Sequence, residues 1–405
     1  MTSQHHTRRT LDRRTLGRTS LLLALGVAAA LTLGACTKPE AKAAAEAAPT
    51  ATQADWGALS DGTKVEAVEL KNAKGVSARI ITYGAALQNL IVPDRTGKAE
   101  DIVIGYDTIE GWEKTPGYTN VTVGRYANRI AKGKFAIDGK AYTLAINNPP
   151  NALHGGVKGW DKRNWTIKNV SSADGTASVT LQYVSADMEE GYPGTVTAEV
   201  TYALDNNNDL TISYKATTDK PTIINLTNHG LYNLGGIPAT RPATDAWLKI
   251  ESDAILPVDK TLIPTGKEMP VKGTPFDFTA PALVSERVTS TDPQIVIGNN
   301  GIDHNYNIRG GLTPEPKLAV TLEDKVSGRA MTISTTEPGV QMYTGNFLDG
   351  TVAGKGGQKL TKYQAIAFET QHYPDSPNQP AFPTTRLDPG QTFTSKTVEH
   401  FYTIP

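Results

Sequence analysis

Beyond its N-terminal segment the chain carries five histidines, and four of them stand among other groups able to move protons. His154 lies in Asn151-Ala152-Leu153-His154-Gly155-Gly156, and His229 closes Asn225-Leu226-Thr227-Asn228-His229. Asp303-His304-Asn305 and Glu369-Thr370-Gln371-His372 set carboxylates beside imidazoles. Imidazole titrates nearest neutrality, and burial can bring a carboxyl there, so these residue types suit general acid–base work. Glu369 is singled out by the apolar run Ala365-Ile366-Ala367-Phe368 before it, an unusual place for a carboxylate. Each histidine taken alone is better explained as a hydrogen-bonded structural residue.

Other chemistries find less support. No pair of histidines has the close spacing of a zinc-binding helix, and the single cysteine, Cys36, lies outside the body of the chain. The expectation is therefore no metal and no cofactor. A Gly-x-Ser-x-Gly elbow, a P-loop and a dinucleotide fingerprint are all missing. Acid–base chemistry on a neutral polar ligand remains. Trp112, Trp160, Tyr343 and Phe347 could stack on a sugar face, though core packing is the better explanation of each one taken singly.

The elements that must hold these groups read as strands. Period-2 alternation marks Thr63 to Leu70, Thr176 to Val184, Thr195 to Leu204 and Leu210 to Ala216. Asp138-Gly139 sits between two short apolar runs as a hairpin turn, and residues 205–209 join the next pair of strands. With 37 Gly, 25 Pro and no long 3.6-period stripe, the expected fold is all-β, two large packed sheets in one domain over residues 55–405. Formal net charge is −1, and no basic run offers a footprint for nucleic acid.

The first 35 residues read as an export signal. Arg8, Arg9, Arg13, Arg14 and Arg18 precede an apolar stretch from Leu21 to Leu33 that is too short to span a bilayer. The stretch ends in Leu33-Gly34-Ala35-Cys36, which resembles a bacterial lipobox, so Cys36 is the expected lipidation site and the only membrane contact. Arg13-Arg14 leaves Sec and twin-arginine export both open. Residues 36–54, rich in Ala, Pro, Glu and Lys, read as a flexible tether. The expected setting is the periplasm or the cell surface.

The ordered series of motifs resembles the aldose 1-epimerase family over nearly all of residues 60–400. It runs through Val123-Gly124-Arg125-Tyr126-Ala127-Asn128-Arg129-Ile130, the two histidine stretches above, and Ile302-Asp303-His304-Asn305. Pro338 to Asn346, Phe368-Glu369-Thr370-Gln371, Asn378-Gln379-Pro380 and Leu387-Asp388-Pro389-Gly390 follow in order. The resemblance implies a galactose mutarotase-like supersandwich that interconverts α and β anomers of free aldoses. It implies Glu369 as base, His229 as acid and His154 as a second active-site histidine. It further implies Asn128, Arg129, Asp303 and Gln341 as residues that hold sugar hydroxyls or line the pocket, and leaves Arg125, His304 and His372 as scaffold.

Two stretches depart from that pattern. The family commonly has an aromatic residue two positions after Thr-Asn-His, where this chain has Leu231; Gly117-Tyr118-Thr119-Asn120 replaces the usual Tyr-Phe-Gly segment. These departures bear on substrate preference. Two other readings stay open at this level: a non-catalytic sugar-binding lipoprotein, and a lyase or glycosidase, which for most hydrolases needs a second carboxylate.

Overall fold

The computed structural model describes residues 47–115 and 117–405. The expected leader, Cys36 and most of the expected tether lie outside the described residues. Alternating apolar positions build two large antiparallel sheets. The first has eleven strands in the order Thr50–Ala58, Lys64–Lys71, Ser77–Ile81, Ala86–Pro93, Ala99–Val103, Leu231–Ile237, Ile366–Gln371, Gly339–Tyr343, Asp303–Ile308, Ser252–Ile255 and Met269–Pro270. The second has nine, centred on Val196–Asp205, Asp209–Thr218 and Phe393–Thr403.

One correction concerns the tether. Thr50 to Ala58 form a strand that pairs with Lys64–Lys71, so residues 50–54 belong to the sheet and not to a linker. This edge strand has no fully buried residue, which is why no alternation announced it.

The inward faces of both sheets share one core, including Leu87, Val103, Val340, Ile366 and Phe368 from the first and Val179, Val200, Tyr202 and Ile212 from the second. Trp160 and Trp165 close one part of it edge to face, 5.8 Å apart. The opposite face of the first sheet carries a second apolar cluster that includes Ile81, Tyr106, Trp112, Leu231, Leu360, Ala365 and Ala367. The central strand Ile366–Gln371 is thus buried on both faces. Alternation sends Ile366 and Phe368 to the shared core and Ala367 and Glu369 to the other side.

Candidate active site

The floor of the site is set by strand register. Gln341 lies opposite Glu369, Tyr343 opposite Ala367, and Leu231 opposite Ala367 on the other flank. One strand further, Asp303 pairs with Tyr343 and Asn305 with Gln341. His229 stands two residues before Leu231, which brings its Nε2 to 3.5 Å from Glu369 Oε1. The remaining groups come from loops that close on each other. Arg129–Ile130 pairs with Ala152–Leu153, and His154 N–H donates to the Asn128 carbonyl at 3.1 Å.

That loop pair depends on left-handed backbone at Asn128 (φ 64°) and His154 (φ 49°), with Gly155 at φ 86° beside them. A Cβ at Gly155 would lie 2.0 Å from the Gly124 carbonyl oxygen, so no side chain fits there. The tight approach lets the Asn128 backbone N–H donate to His154 Nδ1 at 3.1 Å. An acceptor Nδ1 fixes the proton of neutral His154 on Nε2, making that atom a hydrogen-bond donor.

A cavity of about 650 Å³ opens above these groups. Asn128, Arg129, His154, His229, Asp303 and Glu369 line it, joined by Tyr118, Leu231, Tyr343 and Phe347. Arg129 Nη1 stands 3.7 Å from Asp303 Oδ2, and its Nε donates to Asn148 at 3.1 Å. Gln341 does not line the cavity; its amide donates to Asp303 Oδ1 at 2.6 Å and so holds that carboxylate from behind. Gln341, expected to hold sugar hydroxyls or line the pocket, is buried and meets the cavity wall through this bond to Asp303.

Burial governs the charges. Desolvation, then the Asp303 charge, pushes the Glu369 carboxyl well above its ordinary range, against a smaller downward pull from Arg129. Desolvation lowers His229 to about 4 and carries His154 well below its usual value, aided there by the His229 and Arg129 charges. Glu369 Oε2 and His229 Nδ1 are buried and meet no hydrogen-bond partner among the described residues. The 3.5 Å contact is therefore between a carboxyl and an imidazole that burial drives toward neutral forms, sharing one proton.

His154, His229 and Glu369 could bring one donor atom each within 4.8 Å of one another, the span of a loose metal site. The His154 tautomer speaks against that use. A metal ligand needs a free lone pair on Nε2 and the proton on Nδ1, whereas Nδ1 already accepts from Asn128. The donor set fits proton exchange with a hydroxylated ligand better than it fits a cation.

Tyr118, named in the sequence only within a stretch that departs from the family pattern, lines the cavity beside both histidines. Its ring lies 4.4 Å from His154 and 6.2 Å from His229, with Lys162 Nζ 5.0 Å from its centroid on the cation–π side. Its place just ahead of Val123-Gly124-Arg125 was the available signal. Of the four aromatics considered for stacking, Tyr343 and Phe347 line the cavity, while Trp112 and Trp160 are core residues. Arg125 is buried and donates to the Pro193 and Gly194 carbonyls, His304 contacts Gln294, and His372 pairs with Glu337 at 2.6 Å.

The arrangement has close relatives. The family model for aldose 1-epimerase matches residues 66–399. Human galactose mutarotase is 42% identical over 343 residues, covering 84% of this chain and 96% of that protein. The Escherichia coli K12 aldose 1-epimerase is 32% identical with the same coverage. Among solved structures, an aldose epimerase homologue from C. elegans superposes with a TM-score of 0.74 at 32% identity, covering 82% of this chain and 97% of that one. Galactose 1-epimerase from Lactobacillus acidophilus superposes at 0.76 and 27% identity, covering 87% and 99%. With the family model spanning most of its length, and an acid–base cavity on the central strands, the chain belongs to the aldose 1-epimerase family.

Proposed function

We propose that the protein is a mutarotase that opens and recloses the ring of free aldoses such as galactose and glucose at the Glu369–His229 pair. The carrying observation is the 3.5 Å approach of a buried carboxyl to a buried imidazole at the floor of a polar cavity. Ring opening needs a proton to leave the anomeric hydroxyl while another reaches the ring oxygen. The pair holds one proton to exchange. Glu369 takes the hydroxyl proton as protonated His229 gives its own to the ring oxygen; the C1–O5 bond breaks and the open-chain aldehyde forms. Rotation about C1–C2 presents the other carbonyl face, and reversal of both transfers closes the opposite anomer. Nothing is consumed, and the pair ends with the proton count it began with.

His154 Nε2–H serves as a fixed donor to a reacting oxygen, and the Arg129–Asp303 pair orients hydroxyls and steadies charge developing on oxygen. Asn128 contributes through its backbone as well as its place on the wall. Polarimetry of freshly dissolved α-D-galactose and α-D-glucose is the test. Acceleration of either beyond the spontaneous rate is expected, and a folded protein that accelerates neither refutes the proposal.

The setting is proposed from the N-terminal sequence alone: export, lipidation at Cys36, and a position in the periplasm or on the cell surface. The family match begins at residue 66, well after that segment. No helix among the described residues is long and apolar enough to cross a membrane. Mass spectrometry of the membrane fraction should find a lipid on Cys36; an unmodified thiol there refutes the anchor.

A further inference from the structure

The His229 ring is aimed by the chain that carries it. Its Nδ1 is buried with no partner among the described residues, and its Nε2 stands 3.5 Å from Glu369 Oε1. The rings of His154 at 5.4 Å, and of Tyr118 and Tyr343 at 6.2 Å, pack around it but fix no angle as a hydrogen bond would. The direction of the imidazole therefore depends on how the backbone of residues 228–231 is held.

The two departures from the family pattern meet at that backbone. Asn120 N–H donates to the His229 carbonyl at 3.0 Å, and its side chain closes a ring of three bonds just beyond. Leu231 N–H donates to Asn120 Oδ1 at 2.8 Å, Asn120 Nδ2 donates to the Ile104 carbonyl at 2.5 Å, and Ile104 N–H donates to the Leu231 carbonyl at 3.1 Å. Asn120, Ile104 and Leu231 are all buried, so these groups cannot turn to bulk water instead. Asn120 adopts left-handed backbone (φ 52°), which asparagine tolerates. From the core side the segment is blocked. Asn228 Nδ2 donates to the Tyr202 hydroxyl at 2.9 Å, and a Cβ at Gly230 would lie 2.3 Å from the Tyr232 hydroxyl, itself bonded to buried Glu399. The Tyr-Phe-Gly usual before Val-Gly-Arg has no side-chain amide to supply the ring.

The geometry points to Asn120 as a positioning residue that sets the approach of His229 to Glu369. The inference rests on the mutarotase reading and adds to it a residue outside the cavity wall. Glycine at 120 would keep the left-handed backbone and its N–H bond to His229, but would leave Leu231 N–H and the Ile104 carbonyl unpaired. The strand end is then free to shift, and a shift of about 1 Å at a proton-transfer pair can cost about a hundredfold. Arg129, Asp303 and His154 come from other segments and stay in place, so the loss falls on kcat.

The test is Asn120→Gly, read two ways in the folded protein. Polarimetry with galactose should show kcat down about tenfold to a hundredfold, with KM within about twofold. Histidine NMR titration should find His229, held at about 4 by burial, displaced toward the ordinary value of about 6.5. A side chain that merely stabilised the fold would lower the melting temperature and move neither readout. Asn120→Asp, which keeps the shape and an acceptor for Leu231 N–H, guards against a Gly variant that fails to fold and should move both readouts the same way by less. Wild-type kcat and His229 titration in the folded Gly variant, or in the Asp variant where the Gly variant does not fold, overturn the inference. A wild type that accelerates no sugar overturns the mutarotase reading instead, and the His229 titration then decides the placement by itself.

Discussion

Replacing Glu369 with Gln isolates the proton-transfer step with little change of shape. Proton transfer by a positioned side chain contributes roughly 10²–10⁴-fold, about 2.7–5.5 kcal/mol of barrier at 1.36 kcal/mol per tenfold. The structure argues for the upper half of that range. The other carboxylate in the cavity, Asp303, faces Arg129 and accepts from Gln341, so it is poorly placed to substitute. Thermal stability should move in a pH-dependent way. The Glu369 carboxyl is raised by burial, so its contribution is present below the unfolded pKa and is lost as pH rises through the folded one. Gln has no charge to bury, so the variant should gain on the wild type at alkaline pH. At acid pH, where the wild-type carboxyl is protonated, the two should be nearly equal. The measurements are polarimetric kcat/KM for galactose and melting temperatures at pH 5 and pH 9. A variant that keeps more than a tenth of wild-type kcat/KM removes Glu369 from the mechanism. One whose melting temperature tracks the wild type at both pH values refutes the burial argument.

The remaining expectations follow from single features. Gly155→Ala sets a Cβ 2.0 Å from the Gly124 carbonyl at φ 86°, a strain of about 1–3 kcal/mol before any clash; melting temperature and activity should both fall, and retention of half the activity counts against the loop argument. Burial alone would lower His372, but the Glu337 charge and hydrogen bond at 2.6 Å hold it above its ordinary value. That stability is full below about pH 6.5 and fades as pH rises through the folded value. Glu337→Gln should cost about 3–5 kcal/mol by denaturant titration and flatten this pH dependence, and an unchanged midpoint refutes it. Asp303→Asn removes a charge that raises Glu369, so the alkaline limb of kcat/KM should move to lower pH, with a higher KM as Arg129 loses its partner. Nitrogen-15 NMR should find His154 neutral at pH 7 with its proton on Nε2, and a protonated Nδ1 contradicts the contact with Asn128.

Much of the scaffold was legible because it follows from alternation and turn chemistry. Asp138 and Gly139 do take positive φ (50° and 78°) between strands Lys134–Ile137 and Lys140–Thr143. Residues 205–209 do join two ten-residue strands. The edge strand from Thr50 was invisible because an exposed strand is held by its backbone ladder, which leaves no hydrophobic period to read. The site was legible as motifs but not as geometry. His154, His229 and Glu369 lie far apart in sequence, and only the register of four strands and a left-handed loop brings them together. Gln341 illustrates the difference: its motif marked it, yet nothing local could show its hydrogen bond to Asp303. Leu231 and Asn120 each appeared as an isolated departure, and their hydrogen bond is a tertiary fact.

The electrostatics of the site also bear on how its own side chains would open a neutral ring. Before the transfer, productive chemistry needs an ionised Glu369 and a protonated His229, a charged pair in a place where burial disfavours both charges. After it, the carboxyl is protonated and the imidazole neutral. Desolvation therefore opposes the reactant distribution of the proton and favours the distribution that accompanies the open-chain aldehyde. Activity should fall on the acid side when a second proton enters and on the alkaline side when the last one leaves.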